Sequence, residues 1–163
     1  MTWRWPLPEH SDARSDDAGA FGAARRHDVH TGVDLHCPED ALVTSVEPGV
    51  VVAVEDFTGP DAGSPWWLPT KAVLVEGDSG VVVYGEVTPL LAEGSRIGVG
   101  IPVGYVRRVL RNDKGRPTAM LHLELMAPGA RTTLWWRLGA DRPAGLLDPT
   151  AMLAAAREGR DAE

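Results

Sequence analysis

The sequence predicts an antiparallel all-β domain closed by one short C-terminal helix. Three observations carry that expectation. Leu121-His122-Leu123-Glu124-Leu125 alternates apolar and polar residues without a break, which is the period of a strand with one face in the core and one face polar. Two further segments read strand, turn, strand: residues 42–57 around Glu47-Pro48-Gly49, and residues 72–87 around Gly77-Asp78-Ser79-Gly80. Such turn residues between β-branched runs favour hairpins. Only Asp148-Pro149 opens a convincing helix, with an acidic N-cap followed by proline at the first helical position.

Size and composition bound the function classes. A chain of 163 residues is one domain by length and buries roughly 70% of its unfolded surface without staples. Its formal charge of −7 and lack of a dense basic run exclude a phosphate-backbone grip, so no nucleic-acid partner is expected. No apolar run reaches the ~20 residues that span a bilayer, so no membrane partner is expected either. The N-terminus Met-Thr-Trp-Arg-Trp-Pro lacks an apolar export core, and the single Cys37 has no internal partner; both predict a cytoplasmic protein.

Taken in order, residues 1–24 read as an irregular segment with Trp3, Trp5 and Phe21 as anchors and a polar loop at 10–17. The body is expected over 25–157 and a tail over 158–163. Within residues 25–37, His30 and Asp34 are four apart. Extended chain would separate their Cα atoms by about 13 Å, too far for one ion, so the chain bends, and Gly32 is the expected hinge. The loop at 58–70 contains Trp66-Trp67, and residues 127–143 contain Trp135-Trp136. Long loops with paired aromatics suit either a substrate groove or hydrophobic pinning onto the body; the groove reading names Trp66, Trp67 and Trp136 as its walls. In the strand ending Val83-Tyr84-Gly85-Glu86-Val87, period two sets Tyr84 and Glu86 on one face, adding Tyr84 to the groove. His122 offers an imidazole, Glu124 a carboxylate to orient it, and His30 and Asp34 two more donors; N/O sets of this kind suit catalytic zinc.

Read together, His30-Thr31-Gly32-Val33-Asp34, Glu47-Pro48-Gly49, Tyr84-Gly85-Glu86-Val87, Val103-Gly104-Tyr105-Val106, Met120-Leu121-His122-Leu123-Glu124 and Asp148-Pro149 resemble the motif series of the lysostaphin-type (LytM-like) zinc endopeptidases. Order and spacing match over residues 25–153. The resemblance implies an antiparallel β-sheet or sandwich of the duplicated hybrid motif type. It also implies Zn²⁺ held by His30, Asp34 and His122, with Glu124 behind His122. Two accessory histidines of that family fall at Glu86 and Met120. Glu86 is therefore expected to be the base, and His36, Arg26 or His27 to supply the missing polar partner. The implied activity is hydrolysis of an amide bond. Peptidoglycan cross-bridge peptide is the usual substrate of such enzymes, but the absence of an export signal predicts a small peptide or peptide-like substrate here. The alternatives are a non-peptidase zinc enzyme (lyase, isomerase or cyclase) acting on a small metabolite, and a non-catalytic zinc-containing binding module. Oligomeric state is left open.

Overall fold

The computed structural model describes residues 2–8, 18–113, 115 and 117–161. The polar loop expected at 10–17 lies outside them. Among the described residues nine strands form one sheet in which every pairing is antiparallel. They are β1 (Val33–His36), β2 (Leu42–Thr44), β3 (Gly49–Thr58), β4 (Thr70–Gly77), β5 (Gly80–Pro89), β6 (Arg96–Ile97), β7 (Pro102–Val106), β8 (Met120–Met126) and β9 (Leu146–Leu147). The main order is β1-β8-β5-β4-β3-β6, with β2 on β7, β7 also on β5, and β9 on β8. The helix α1 covers Thr150–Asp161. It starts where Asp148 Oδ1 accepts the Thr150 N–H at 2.9 Å and the Thr150 hydroxyl at 2.6 Å, satisfying an orphan donor of the first turn. The helix runs past the end expected at Arg157, so residues 158–161 are helical rather than tail.

Strand alternation gives the sheet two unlike faces. On one face Leu121, Leu123 and Leu125 of β8 meet Val82, Tyr84 and Val87 of β5, together with Val33 and Leu35 of β1. Trp3, Trp5 and Leu7 from the N-terminal segment and Leu153 and Ala156 from α1 belong to the same core. Burying a large apolar side chain fully is worth about 1.5–3 kcal/mol, so this segment is integral to the body. The Trp3 indole N–H donates to Glu47 Oε1 at 3.2 Å, and Arg157 and Arg160 lie 5.6 and 5.3 Å from the Trp5 ring centroid. The other face holds a smaller core of Ala72, Leu74, Val81, Val83, Met126 and Leu146. His122 and Glu124 share that face with Met126 by the two-residue period. A polar site thus lies directly beside a packed one.

One irregularity in β5 decides what reaches the site. Tyr84 pairs with Val73 and Val87 with Lys71, so Gly85 and Glu86 together lie opposite Ala72 alone. This bulge shifts the alternation by one residue, and Glu86 takes a left-handed φ of 65°. Bulges re-aim side chains beside functional sites, and a non-glycine residue in this region is a local strain held by its surroundings. Tyr84 consequently does not share a face with Glu86. It is wholly buried in the first core, and its hydroxyl accepts the Val46 N–H at 2.9 Å. Its expected place in the groove is corrected by the bulge.

Candidate metal centre and groove

The site begins with Thr31-Gly32, the two residues that lead into β1. The chain bends at Gly32 as expected, with a φ that is not positive, and the residue has a spatial role as well. A Cβ on Gly32 would lie 2.4 Å from the Leu123 carbonyl oxygen, 2.9 Å from Glu124 Cγ and 3.0 Å from His122 Nε2. Only a glycine lets this turn rest on β8. From there β1 pairs with β8, with Asp34 opposite His122, and the next strand places Gly85 opposite His122 on its other side. Gly85 is also bare for a reason: a Cβ there would stand 2.9 Å from the Phe57 ring.

These constraints bring three donor atoms together. His30 Nε2 lies 3.1 Å from Asp34 Oδ1 and 3.1 Å from His122 Nδ1, and His122 Nδ1 lies 2.8 Å from Asp34 Oδ1. His30, Asp34 and His122 are all buried and present one ligand atom each within 4.8 Å of the others. The outward ring nitrogens are both engaged. His30 Nδ1 donates to the Ala20 carbonyl at 3.0 Å, and His122 Nε2 contacts Glu124 Oε1 at 2.8 Å. Glu124 Oε1 is itself held by the Thr31 hydroxyl at 2.6 Å. Fixing the remote ring nitrogen in this way sets the tautomer and the ring plane of a metal-binding histidine. Two imidazoles and a carboxylate, each with its outer atom restrained, fit zinc with an open coordination position.

The electrostatics follow from burial and these contacts. Burial opposes charge on Asp34, yet hydrogen bonds from His122 and His30 and their positive charge hold its carboxyl well below the usual range. Burial also works against the His122 cation, but Asp34 and Glu124 outweigh it and raise its pKa to about 10. Glu86 is pushed up to about 8 by burial first and by the Asp34 charge second, with His122 and Arg25 pulling the other way. Glu86 Oε2 is buried and has no hydrogen-bond partner among the described residues. A buried carboxylate oxygen left without a donor is costly, and a nearby cation or substrate proton would relieve that cost.

Two cavities flank these atoms. The larger, about 510 Å³, is lined by Arg26, His27, His36, Trp66, Met120 and Leu110 among others. The smaller, about 320 Å³, is lined by His30, His122, Glu124, Phe57 and Trp135 among others. Arg25, Asp28, Trp67 and Glu86 line both, so they sit at the junction. His36 shares the polar side of β1 with Asp34 and pairs with Met120 in register, and it reaches the larger cavity only. Trp66 and Trp67 lie where a groove wall was expected. Trp136 does not. Its ring packs 5.7 Å from Phe21 and its indole N–H donates to the Ala140 carbonyl, while its neighbour Trp135, 64% exposed, lines the smaller cavity. Adjacent residues of an extended loop face opposite ways, and the sequence does not say which faces in.

Arg25 is a site residue to which the sequence reading assigned no role. Ala24 and Val29 bridge to form a tight hairpin, with Arg25, Arg26, His27 and Asp28 at its tip. From there Arg25 Nη2 donates to Asp34 Oδ2 at 3.1 Å and to the Ala18 carbonyl at 3.2 Å. Charge alternation could not have found it, because the contact depends on the hairpin folding back over β1.

No protein-family model matches the sequence, and no curated protein is similar to it in sequence. Solved structures are similar in fold. The catalytic domain of the prophage-encoded M23 protein EnpA from Enterococcus faecalis superposes with a TM-score of 0.59 at 18% identity, over 91% of this chain and 95% of that one. The catalytic domain of the antimicrobial peptidase lysostaphin from Staphylococcus simulans gives 0.54 at 15% identity, over 94% and 90%. A zinc-containing peptidase from Vibrio cholerae gives 0.54 at 17% identity, over 88% of this chain and 41% of that one. The nine-stranded antiparallel sheet with its single C-terminal helix is therefore the fold of the lysostaphin-type (LytM-like) peptidase domains.

Proposed function

We propose that the chain is a zinc-dependent hydrolase that cuts an amide bond of a peptide. The observation that carries this reading is the convergence of His30 Nε2, Asp34 Oδ1 and His122 Nδ1 at the floor of a groove whose junction also holds the buried carboxylate of Glu86. The peptidases of the same fold support it. His30, Asp34 and His122 would hold the ion, which supplies Lewis-acid polarisation of a carbonyl and a water acidified towards a pKa of ~7.

The remaining roles belong to the chain itself. Glu124 and Thr31 fix the plane of His122, and the Ala20 carbonyl fixes that of His30. Glu86 takes the proton of the attacking water and returns it to the leaving amine. Glu86 is buried at the junction of the two cavities, and a cation held by His30, Asp34 and His122 would favour its ionised, proton-accepting form over the neutral form that burial alone favours. The groove walls Trp66, Trp67 and Trp135 bind side chains of the substrate on either side of the scissile bond. Positioned acid–base groups contribute about 10²–10⁴ in rate. In a zinc-loaded Glu86→Gln variant, turnover of a fluorescence-quenched peptide library is expected to fall by about that factor with metal content unchanged. Unchanged turnover would refute the assignment.

A second reading is favoured by one feature. Met120 stands beside the site and has no proton to offer, so a site with a carboxylate base alone also suits a lyase, isomerase or cyclase acting on a small metabolite. Peptide cleavage by the wild-type protein that is lost in Glu86→Gln decides for the hydrolase.

A further inference from the structure

Hydrolysis of an amide needs more than a base. When water's oxygen bonds to the carbonyl carbon, the π pair moves onto the carbonyl oxygen, the proton passes to Glu86, and a negative charge develops that must be met by a donor. The amine then departs with the electron pair of the C–N bond and takes the proton back from Glu86. Glu86 holds the proton it has taken for the leaving amine and so is not free to donate it to the oxyanion, and Met120 carries no donor. Arg26, His27 and His36 reach only the larger cavity. Among the described residues lining both cavities, Arg25, Asp28, Trp67 and Glu86, Arg25 is the sole cation.

Resting on the hydrolase reading above, we infer that Arg25 is the catalytic donor that stabilises the oxyanion, its guanidinium aimed at the junction of the two cavities by its bond to Asp34 Oδ2. The position is built. Nη2 is pinned at 3.1 Å by Asp34 and at 3.2 Å by the Ala18 carbonyl, and the Asp34 side chain is only 6% exposed. A guanidinium has five N–H donors, and these two bonds engage Nη2 alone. The charge is permanent, so the donor does not depend on pH as a histidine would. The Arg25 charge also reaches Glu86, which places the two groups within electrostatic range of one reacting centre. Oxyanion donors are worth about 10²–10³ in kcat each.

The test uses the full chain loaded with zinc. A phosphinate pseudopeptide, whose tetrahedral anion mimics the oxyanion, is titrated into wild type, Arg25→Met and Arg25→Lys by calorimetry, while zinc affinity is measured separately by chelator competition. Arg25→Met is expected to bind the phosphinate at least about 30-fold more weakly and to lose about 10²-fold or more in kcat with KM nearly unchanged. Its zinc affinity should stay within about threefold, and millimolar guanidinium should restore part of both losses. Arg25→Lys keeps the charge without the fork and should fall between the two, which also keeps the test available if the methionine variant folds poorly. Unchanged phosphinate affinity in both variants would overturn the inference. So would a loss that merely follows loss of zinc, because Arg25 would then only position Asp34. If wild type cuts no peptide yet binds phosphinate through Arg25, the hydrolase reading fails and the donor stands. If peptides are cut and phosphinate binding ignores Arg25, the donor fails and the hydrolase reading stands.

Discussion

Gly32→Ala offers a sharp test of how the site is built. The added Cβ would lie 2.4 Å from the Leu123 carbonyl oxygen. Ordinary contact begins at 3.4 Å, so the strands must separate by 3.4 − 2.4 = 1.0 Å, or the turn must swing by as much. The obstacle is backbone of β8, which is held by β1 on one side and β5 on the other, so it cannot yield as a side-chain tip would. Overpacking of this kind typically costs 1–3 kcal/mol. The consequence for the donors is larger in proportion, because metal sites tolerate only about ±0.2 Å in ligand distance and Gly32 lies between His30 and Asp34. Gly32→Ala is therefore expected to lower the melting temperature and to weaken zinc binding at least tenfold. Gly159→Ala is the matched control: it lies in α1 with no atom within 4 Å of the added Cβ. There alanine should be neutral or stabilising by about 0.5–1 kcal/mol. Wild-type zinc affinity in Gly32→Ala would refute the spatial argument.

The metal-free protein should also show a defined pH dependence. His122 is raised from 6.5 to about 10, so its stabilising contribution is complete below 6.5 and is lost as pH rises through about 10. Glu86 is raised from 4.5 to about 8, so it too loses stability on ionising as pH rises between those values. Melting temperature without metal should fall from slightly acid to alkaline pH, and the gain on adding zinc should grow over the same range because the ion displaces a proton from His122; a gain independent of pH would contradict this. For the groove, Trp67→Ala should alter turnover more than melting temperature, whereas Trp136→Ala should chiefly lower melting temperature through the lost contact with Phe21. The reverse pattern would show that the two loops have been assigned the wrong way round.

Much of the fold was legible because strand alternation is a local signal. The leucines of β8 fall in the core and its His122 and Glu124 face the site, as period two requires. The convergence of His30, Asp34 and His122 was legible through motif order, although the spatial role of Gly32 was not: close approach to β8 depends on a strand distant in sequence. Tyr84 shows where a periodic argument fails. One bulge at Gly85-Glu86 inverts the faces beyond it, and no residue there announces a bulge except the glycine. Arg25 and Trp135 depend on how a hairpin and a loop fold back over the sheet, which composition does not encode. The burial of Trp3 and Trp5 follows from aromatic area and was visible, while the docking partner α1 was not.

The central claim is that His30, Asp34 and His122 hold one zinc ion. X-ray absorption at the zinc edge, combined with metal analysis of wild type, His30→Ala and His122→Ala, tests it most directly. The expected result is one zinc per chain in wild type, with nitrogen and oxygen scatterers only at about 2.0–2.2 Å, and zinc largely lost from both variants. A sulfur shell near 2.3 Å, which only Cys37 or a methionine could supply, or equal zinc content in all three proteins, would contradict the account.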